Sequence, residues 1–352
     1  MAGMFFVTFG RIRLALAYLL PPDISKICMK TWEQQVIVIT GASSGTGRAI
    51  ATKLASKQPI LVLAARREHA LEEVAAECRE SGASVQIMVT DTRNANDVQH
   101  LAKVAAEITG SIDVWINNAG VLAAGALEDV PPAVNEQVIL TNLVGYINGA
   151  HEVIPYFKQQ GYGILFNNIS VGGWFPTPYA AAYSASKFGL RGYSESLKGE
   201  LSHYPDIHVV DLYPAFLDTP GIQHAANYTG KVIKPAAPVY DPIKVAEAII
   251  KLIENPKSRK TIGAAAGFLK LAYALFPKLS RNITASVIRK YVQKAEPIRH
   301  TAGNTILPLE FGTSIHGGWD KKINPSKTVI AAAVLAAVTA GLISYNRSTS
   351  AR

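Results

Sequence analysis

From residue 34 onward the chain alternates short apolar runs with longer stretches of helical character. The runs are QQVIVIT (34–40), PILVLAA (59–65), SVQIMVT (84–90), DVWINNA (113–119), YGILFNNIS (162–170) and IHVVDLYP (207–214). Runs of this length, bounded by turn formers, predict strands. Between them lie GRAIATKLASK, a charged segment ending near Arg79, and helical patterns clearest over 94–109, 133–158 and 241–254. Almost uninterrupted apolar strands separated by helices predict an α/β fold, a Rossmann-type doubly wound parallel sheet with helices on both faces. In such a sheet, functional groups gather at the C-terminal ends of the strands.

Composition adds appendages to this core. The 352 residues are 49% hydrophobic and 17% charged, enough for one large α/β domain and more. Cys28 and Cys78 make no disulfide framework, and the eight histidines show no metal-helix spacing. The net charge of +9 is uneven: residues 255–352 carry 15 Lys and Arg against 3 Asp and Glu, while residues 1–254 carry 20 against 23. The basic quarter lacks the aromatic interleaving that would indicate nucleic acid, and it adjoins an uncharged run, TVIAAAVLAAVTAGLISY (328–345). As a helix that run would span about 27 Å, close to a bilayer core of about 30 Å. We therefore expect a basic extension over 266–326, a transmembrane helix over 327–346 and an N-terminal interfacial segment over 1–33. The domain between them, 34–265, should face the cytoplasm. A further apolar run, AAAGFLKLAYALFP (264–277), either dips into a membrane, caps the cleft or covers the domain.

Three stretches carry candidate chemistry. TGASSGTG (40–47) follows the first strand and opens a helix; Gly41, Gly45 and Gly47 let the backbone turn tightly and approach a pyrophosphate at the helix N-terminus. NNAG (117–120) ends the fourth strand. YSASK (183–187) places Tyr183 and Lys187 on one helix face, where an ammonium would lower the phenol pKa. Alone, that pair is more simply a solvated helix face.

Together, T-G-x-x-x-G-x-G, NNAG, and Ser170 placed thirteen residues before Tyr-x-x-x-Lys resemble the short-chain dehydrogenase/reductase family over about residues 34 to 265. The resemblance implies Tyr183 as acid/base, Lys187 lowering its pKa and binding the nicotinamide ribose, and Ser170 holding the substrate oxygen. It implies Asn142 as the residue of a helix kink and a proton relay. It also implies cofactor contacts at Gly41, Ser43, Ser44, Gly45, Thr46, Gly47, Asp91, Asn118, Ala119, Gly120 and Thr219. Thr46 stands where isoleucine is usual, and Ala215 where glycine follows the proline. The second strand ends LAARRE, so Arg66 and Arg67 stand where an NAD-selective acid would sit. Guanidinium forks suit a phosphate, which favours NADP(H). Trp174, Phe175, Phe216 and Leu217 suggest an apolar substrate cleft.

The expectation is thus a membrane-attached NADP(H)-dependent oxidoreductase acting on a lipophilic alcohol, ketone or aldehyde. Its rivals are a non-catalytic membrane-tethered scaffold or sensor, and a soluble carbonyl reductase whose C-terminal helix packs in an oligomer. The partners are a small lipophilic substrate, a lipid membrane and, as an option, a second copy of the chain; nucleic acid and metal are not among them.

Overall fold

The computed structural model describes residues 30–319. The six apolar runs form β1 (Val36–Thr40), β2 (Ile60–Ala65), β3 (Ser84–Val89), β4 (Val114–Asn117), β6 (Gly163–Asn168) and β7 (Ile207–Pro214). A short pair, β5 (Ala123–Ala124) and β8 (Ala226–Asn227), lies apart from them. The main sheet has seven parallel strands in the order β3-β2-β1-β4-β6-β7-β9. Its last strand, β9 (Arg259–Ile262), was not expected: three of its four residues are exposed, so RKTI lacks the apolar signature of the others.

The period-two geometry of β1 sends Val36 and Val38 to one face and Ile37 and Ile39 to the other. On the isoleucine side pack helices α1 (Gly45–Ala55), α2 (Glu68–Glu80) and α7 (Ile243–Glu254), through Ile50, Leu54, Leu71, Val74 and Ile249. On the valine side pack α3 (Ala95–Thr109), α5 (Gly145–Gln160) and α6 (Ala181–Glu200), through Leu101, Val153, Phe157 and Leu197. With both faces covered, every β1 residue is buried. Strand order reverses between β1 and β4, the place where such sheets open a crevice at their C-terminal edge.

The single helix expected over 133–158 is interrupted. A short α4 (Pro132–Ile139) passes into a π-helical turn, Leu140–Val144, before α5 begins. Beyond β9 the 264–277 run becomes α8 (Ala264–Leu275), followed by α9 (Pro277–Lys294). Ala266, Leu269 and Tyr273 of α8 pack on Val171, Phe175 and Ala215, so one face of the helix covers the domain. From residue 297 the chain then turns back without regular structure. Lys231 pairs with Pro297, and Asn227 with Thr301, carrying residues 303–319 across the C-terminal edge of the sheet. Among the described residues no helix is long and apolar enough to cross a membrane. The transmembrane expectation for 327–346 and most of the interfacial expectation for 1–33 lie outside them.

Candidate active site

A cavity of about 390 Å³ opens at the C-terminal ends of β1, β2, β4 and β6. It is lined by all sixteen remaining candidate residues once Asn142 is set aside: the glycine-rich turn (Gly41, Ser43, Ser44, Gly45, Thr46, Gly47), Arg66, Arg67, Asp91, Asn118, Ala119, Gly120, Ser170, Tyr183, Lys187 and Thr219. The turn is closed by backbone contact. A Cβ on Gly47 would stand 2.0 Å from the Gly41 carbonyl oxygen, so only glycine lets α1 start so close to the strand. Asn118 ties the turn to β4 by donating to the carbonyls of Thr40 and Gly41 at 3.1 and 3.3 Å.

Ser170 leaves β6 with φ +88°, a conformation that L side chains rarely adopt, and its hydroxyl accepts from the Gly172 amide at 3.2 Å. One turn into α6, Tyr183 and Lys187 share the helix face that closes the cleft. Lys187 is 4% exposed, donates to the Asn168 carbonyl at 3.2 Å, and lies over the rings of Tyr146 and Tyr183 at 5.0 and 5.9 Å. Among the described residues no carboxylate pairs with it. Burial therefore pushes the ammonium pKa down to about 7. Burial also raises the Tyr183 phenol, against a downward pull from the Ser170 hydroxyl. Burial, rather than the Lys187 ammonium, thus sets the direction of the phenol shift in this cleft. With both groups desolvated, each loses affinity for its charged form, and a lysine neutral for part of the time supplies little field.

Asn142 sits in the π-helical turn and is fully buried. Its carboxamide accepts from the Val121 amide and donates to the Val121 carbonyl, both at 2.8 Å, and donates to Ser186 at 3.3 Å. Its side chain thus pins the irregular turn to the loop after β4, while the neighbouring Thr141 lines the cleft. Trp174 and Phe175 do not line the cavity. Trp174 is sandwiched by the Arg191 guanidinium at 4.0 Å and the Lys270 ammonium at 3.9 Å, and Phe175 packs edge-on to Tyr273. Phe216 and Leu217 do line it, with Val121, Leu122 and Ile222.

At the other end Asp91 is paired with Arg93, whose Nε lies 2.9 Å from it. Burial pushes the Asp91 carboxyl up, but hydrogen bonds and charge from Arg93 outweigh this and leave it below its ordinary value. Arg66 and Arg67 face the cavity, yet each also donates to carbonyls of the returning segment. Sequence reasoning missed that segment, which brings Asn304, Pro308 and Leu309 into the lining from more than 200 residues away. No family motif and no local pattern marks them.

A dinucleotide fits this donor set. Among the described residues, four buried side-chain polar atoms lack a partner, and three of them, on Thr141, Asn168 and Asn304, belong to residues lining the cavity. Orphaned groups concentrated in one cleft, beside two guanidiniums and a turn that admits no side chain, suit a ligand rich in hydroxyls and phosphates.

Comparison with known proteins agrees. Residues 35–228 match the family model described as short chain dehydrogenase. An uncharacterized oxidoreductase, YxnA, of Bacillus subtilis is 32% identical over 330 residues, covering 91% of this chain and 92% of the relative. An alcohol dehydrogenase of the archaeon Thermococcus sibiricus, solved with 5-hydroxy-NADP, superposes with TM-score 0.57 at 28% identity, over 65% of this chain and 96% of that one. The actinorhodin polyketide ketoreductase solved with NADPH gives 0.61 at 28% identity, over 69% and 99%. With its parallel sheet, glycine-rich turn and Ser-Tyr-Lys cluster in one cleft, the chain belongs to the short-chain dehydrogenase family.

Proposed function

We propose that this protein transfers a hydride between NADP(H) and a lipophilic alcohol, ketone or aldehyde, with Tyr183 as acid/base, and that it works attached to a membrane with its catalytic domain on the cytoplasmic side. The observation that carries the reading is a single cleft holding Ser170, Tyr183 and Lys187 together with Arg66 and Arg67, which lie across two intervening strands of the sheet. NADPH, when bound, supplies the hydride. The chain supplies the rest. Ser170 donates its hydroxyl proton in a hydrogen bond to the substrate oxygen and steadies the negative charge that grows there. In reduction Tyr183 gives its phenol proton to that oxygen; in oxidation it takes one. Burial raises the phenol pKa, so Tyr183 holds its proton at neutral pH, the form that carbonyl reduction requires.

Lipophilic substrate and membrane are supported by α8 and α9. Opposite the packed face of α8, Phe268, Leu271 and Leu275 are exposed, and Leu279 continues the patch into α9. Residues 264–294 hold six basic residues and no acidic one. An apolar patch on helices whose only charges are basic suits an anionic lipid surface, and the opposite face of α8 packs on Phe175, in the loop that follows Ser170.

Purified protein should be screened with NADPH against steroids, retinoids and fatty ketones. The best substrate should then be lost, by at least about a thousandfold in kcat, in Tyr183→Phe with NADPH affinity unchanged. Undiminished turnover in that variant would defeat the acid/base assignment.

A further inference from the structure

We infer that residues 303–314 form the outer wall of the adenosine half of the cofactor cleft and determine how tightly, and for how long, the dinucleotide is held. This rests on the NADP(H) reading and goes beyond the family core. The alcohol dehydrogenase is matched over 96% of its length by 65% of this chain, which leaves the family core complete in a chain far shorter than this one. The B. subtilis relative is matched over 91% of this chain, too much for the segment to have been left out.

Backbone carbonyls of the segment hold the two guanidiniums that a phosphate would need, and anchor the segment to the glycine-rich turn. Arg66 donates to Asn304 at 2.7 Å and Ile306 at 3.2 Å; Arg67 donates to Leu309 at 2.6 Å and Phe311 at 3.0 Å. The Gly45 amide at the start of α1 donates to Ser314 at 2.9 Å. A guanidinium has five N–H donors. Each arginine gives two to the segment and keeps the others, so both forks are oriented without being used up. Prealigned side chains lose less entropy on binding. Pro308 and Leu309 add apolar wall, and Asn304 leaves its buried carboxamide oxygen without a partner. Adenosine offers that oxygen an amino group and ribose hydroxyls. The segment is in turn anchored on His224, whose carbonyl accepts from the Asn304 amide and whose Nε2 meets the Phe311 carbonyl, each at 2.9 Å.

Two variants of the full chain test this by binding rather than turnover. Gly303 has φ +54°, and a Cβ there would stand 2.2 Å from the His224 carbonyl oxygen, so Gly303→Val should lift the segment. NADPH fluorescence should show Kd raised at least tenfold and dissociation accelerated, with a smaller loss for NADH, which lacks the phosphate the arginines meet. Asn304→Ala leaves the segment in place and should weaken NADPH and NADH by similar factors of three or more. Unchanged or tighter NADPH binding in Asn304→Ala, or in a Gly303→Val protein with wild-type circular dichroism, overturns the inference. Failure of the wild type to prefer NADPH over NADH would instead overturn the cofactor reading beneath it.

Discussion

Ser170 and Lys187 show what a short motif leaves unsaid. Their identity and order could be read from the sequence, because the chemistry demands those residue types at that spacing. Their energetics could not, because these depend on what packs around them. Ser170 holds φ +88°, at a cost of about 1–3 kcal/mol. Glycine relieves that strain, although it loses about 0.5–1 kcal/mol through the unfolded chain. We expect Ser170→Gly to be more stable than Ser170→Ala by about 1 kcal/mol in thermal unfolding. Both should lose about a hundredfold or more in kcat with the lost donor. Lys187 gives a pH signature. Its pKa falls from 10.5 to about 7 in the folded chain. Below pH 7 it is charged in both states and the full burial penalty applies. Between 7 and 10.5 only the unfolded chain holds the proton, so wild-type stability climbs with pH; above 10.5 the penalty is gone. Each tenfold loss of proton affinity is worth about 1.4 kcal/mol. Lys187→Met should therefore stabilise the protein by about 2 kcal/mol or more at pH 6. That gain should shrink steadily toward pH 10, as followed by urea unfolding. A gain that is constant with pH would mean the lysine is not desolvated.

At the scale of the element, hydrophobic period was a good guide where a strand is covered on both faces and a poor one elsewhere. Six strands announced themselves as apolar runs; β9 did not, because an exposed edge strand has no need of apolar residues. The helix over 133–158 looked continuous because a π-helical turn changes hydrogen bonding without changing the residue pattern. Asn142 hinted at the interruption only through the family resemblance. The junction of β2 and α2 is a third case. Arg66 and Arg67 were legible as cations at a strand end, but not their tie to carbonyls 238 to 244 residues later. Replacing both with glutamine should weaken NADPH at least tenfold more than NADH in direct titration, since a charge-assisted phosphate contact disappears. Equal losses for the two coenzymes would show that these arginines serve the fold alone.

On the scale of the whole molecule, the basic excess lies on one part of the chain and the residues proposed for catalysis on another. The structure gives that excess a surface: α8 and α9, with exposed Phe268, Leu271 and Leu275 among lysines and arginines. The full chain should sediment with vesicles of mixed neutral and anionic lipid. At about 1 M salt, surface attraction is screened within about 3 Å, so binding through this patch should weaken, whereas a spanning segment at 328–345 would hold. Phe268→Ser with Leu271→Ser removes only exposed side chains. In a chain ending at residue 326 we expect this pair to weaken vesicle binding, with the N-terminal segment accounting for what remains, while leaving the unfolding temperature within about 2 °C, as is usual for surface changes. Undiminished vesicle binding by that doubly substituted chain would place membrane contact elsewhere.

The returning segment also imposes an order on synthesis. A chain emerging from the ribosome at about 5–20 residues per second exposes Ser170, Tyr183 and Lys187 before any residue of 303–314. The chemical centre can thus take shape on a nascent domain whose coenzyme seat still lacks a side. A premature stop codon after residue 296 would spare every residue that handles a proton, yet yield a product with an unfinished wall beside Arg66 and Arg67. Such lesions would present as a demand for more coenzyme rather than as missing catalysts.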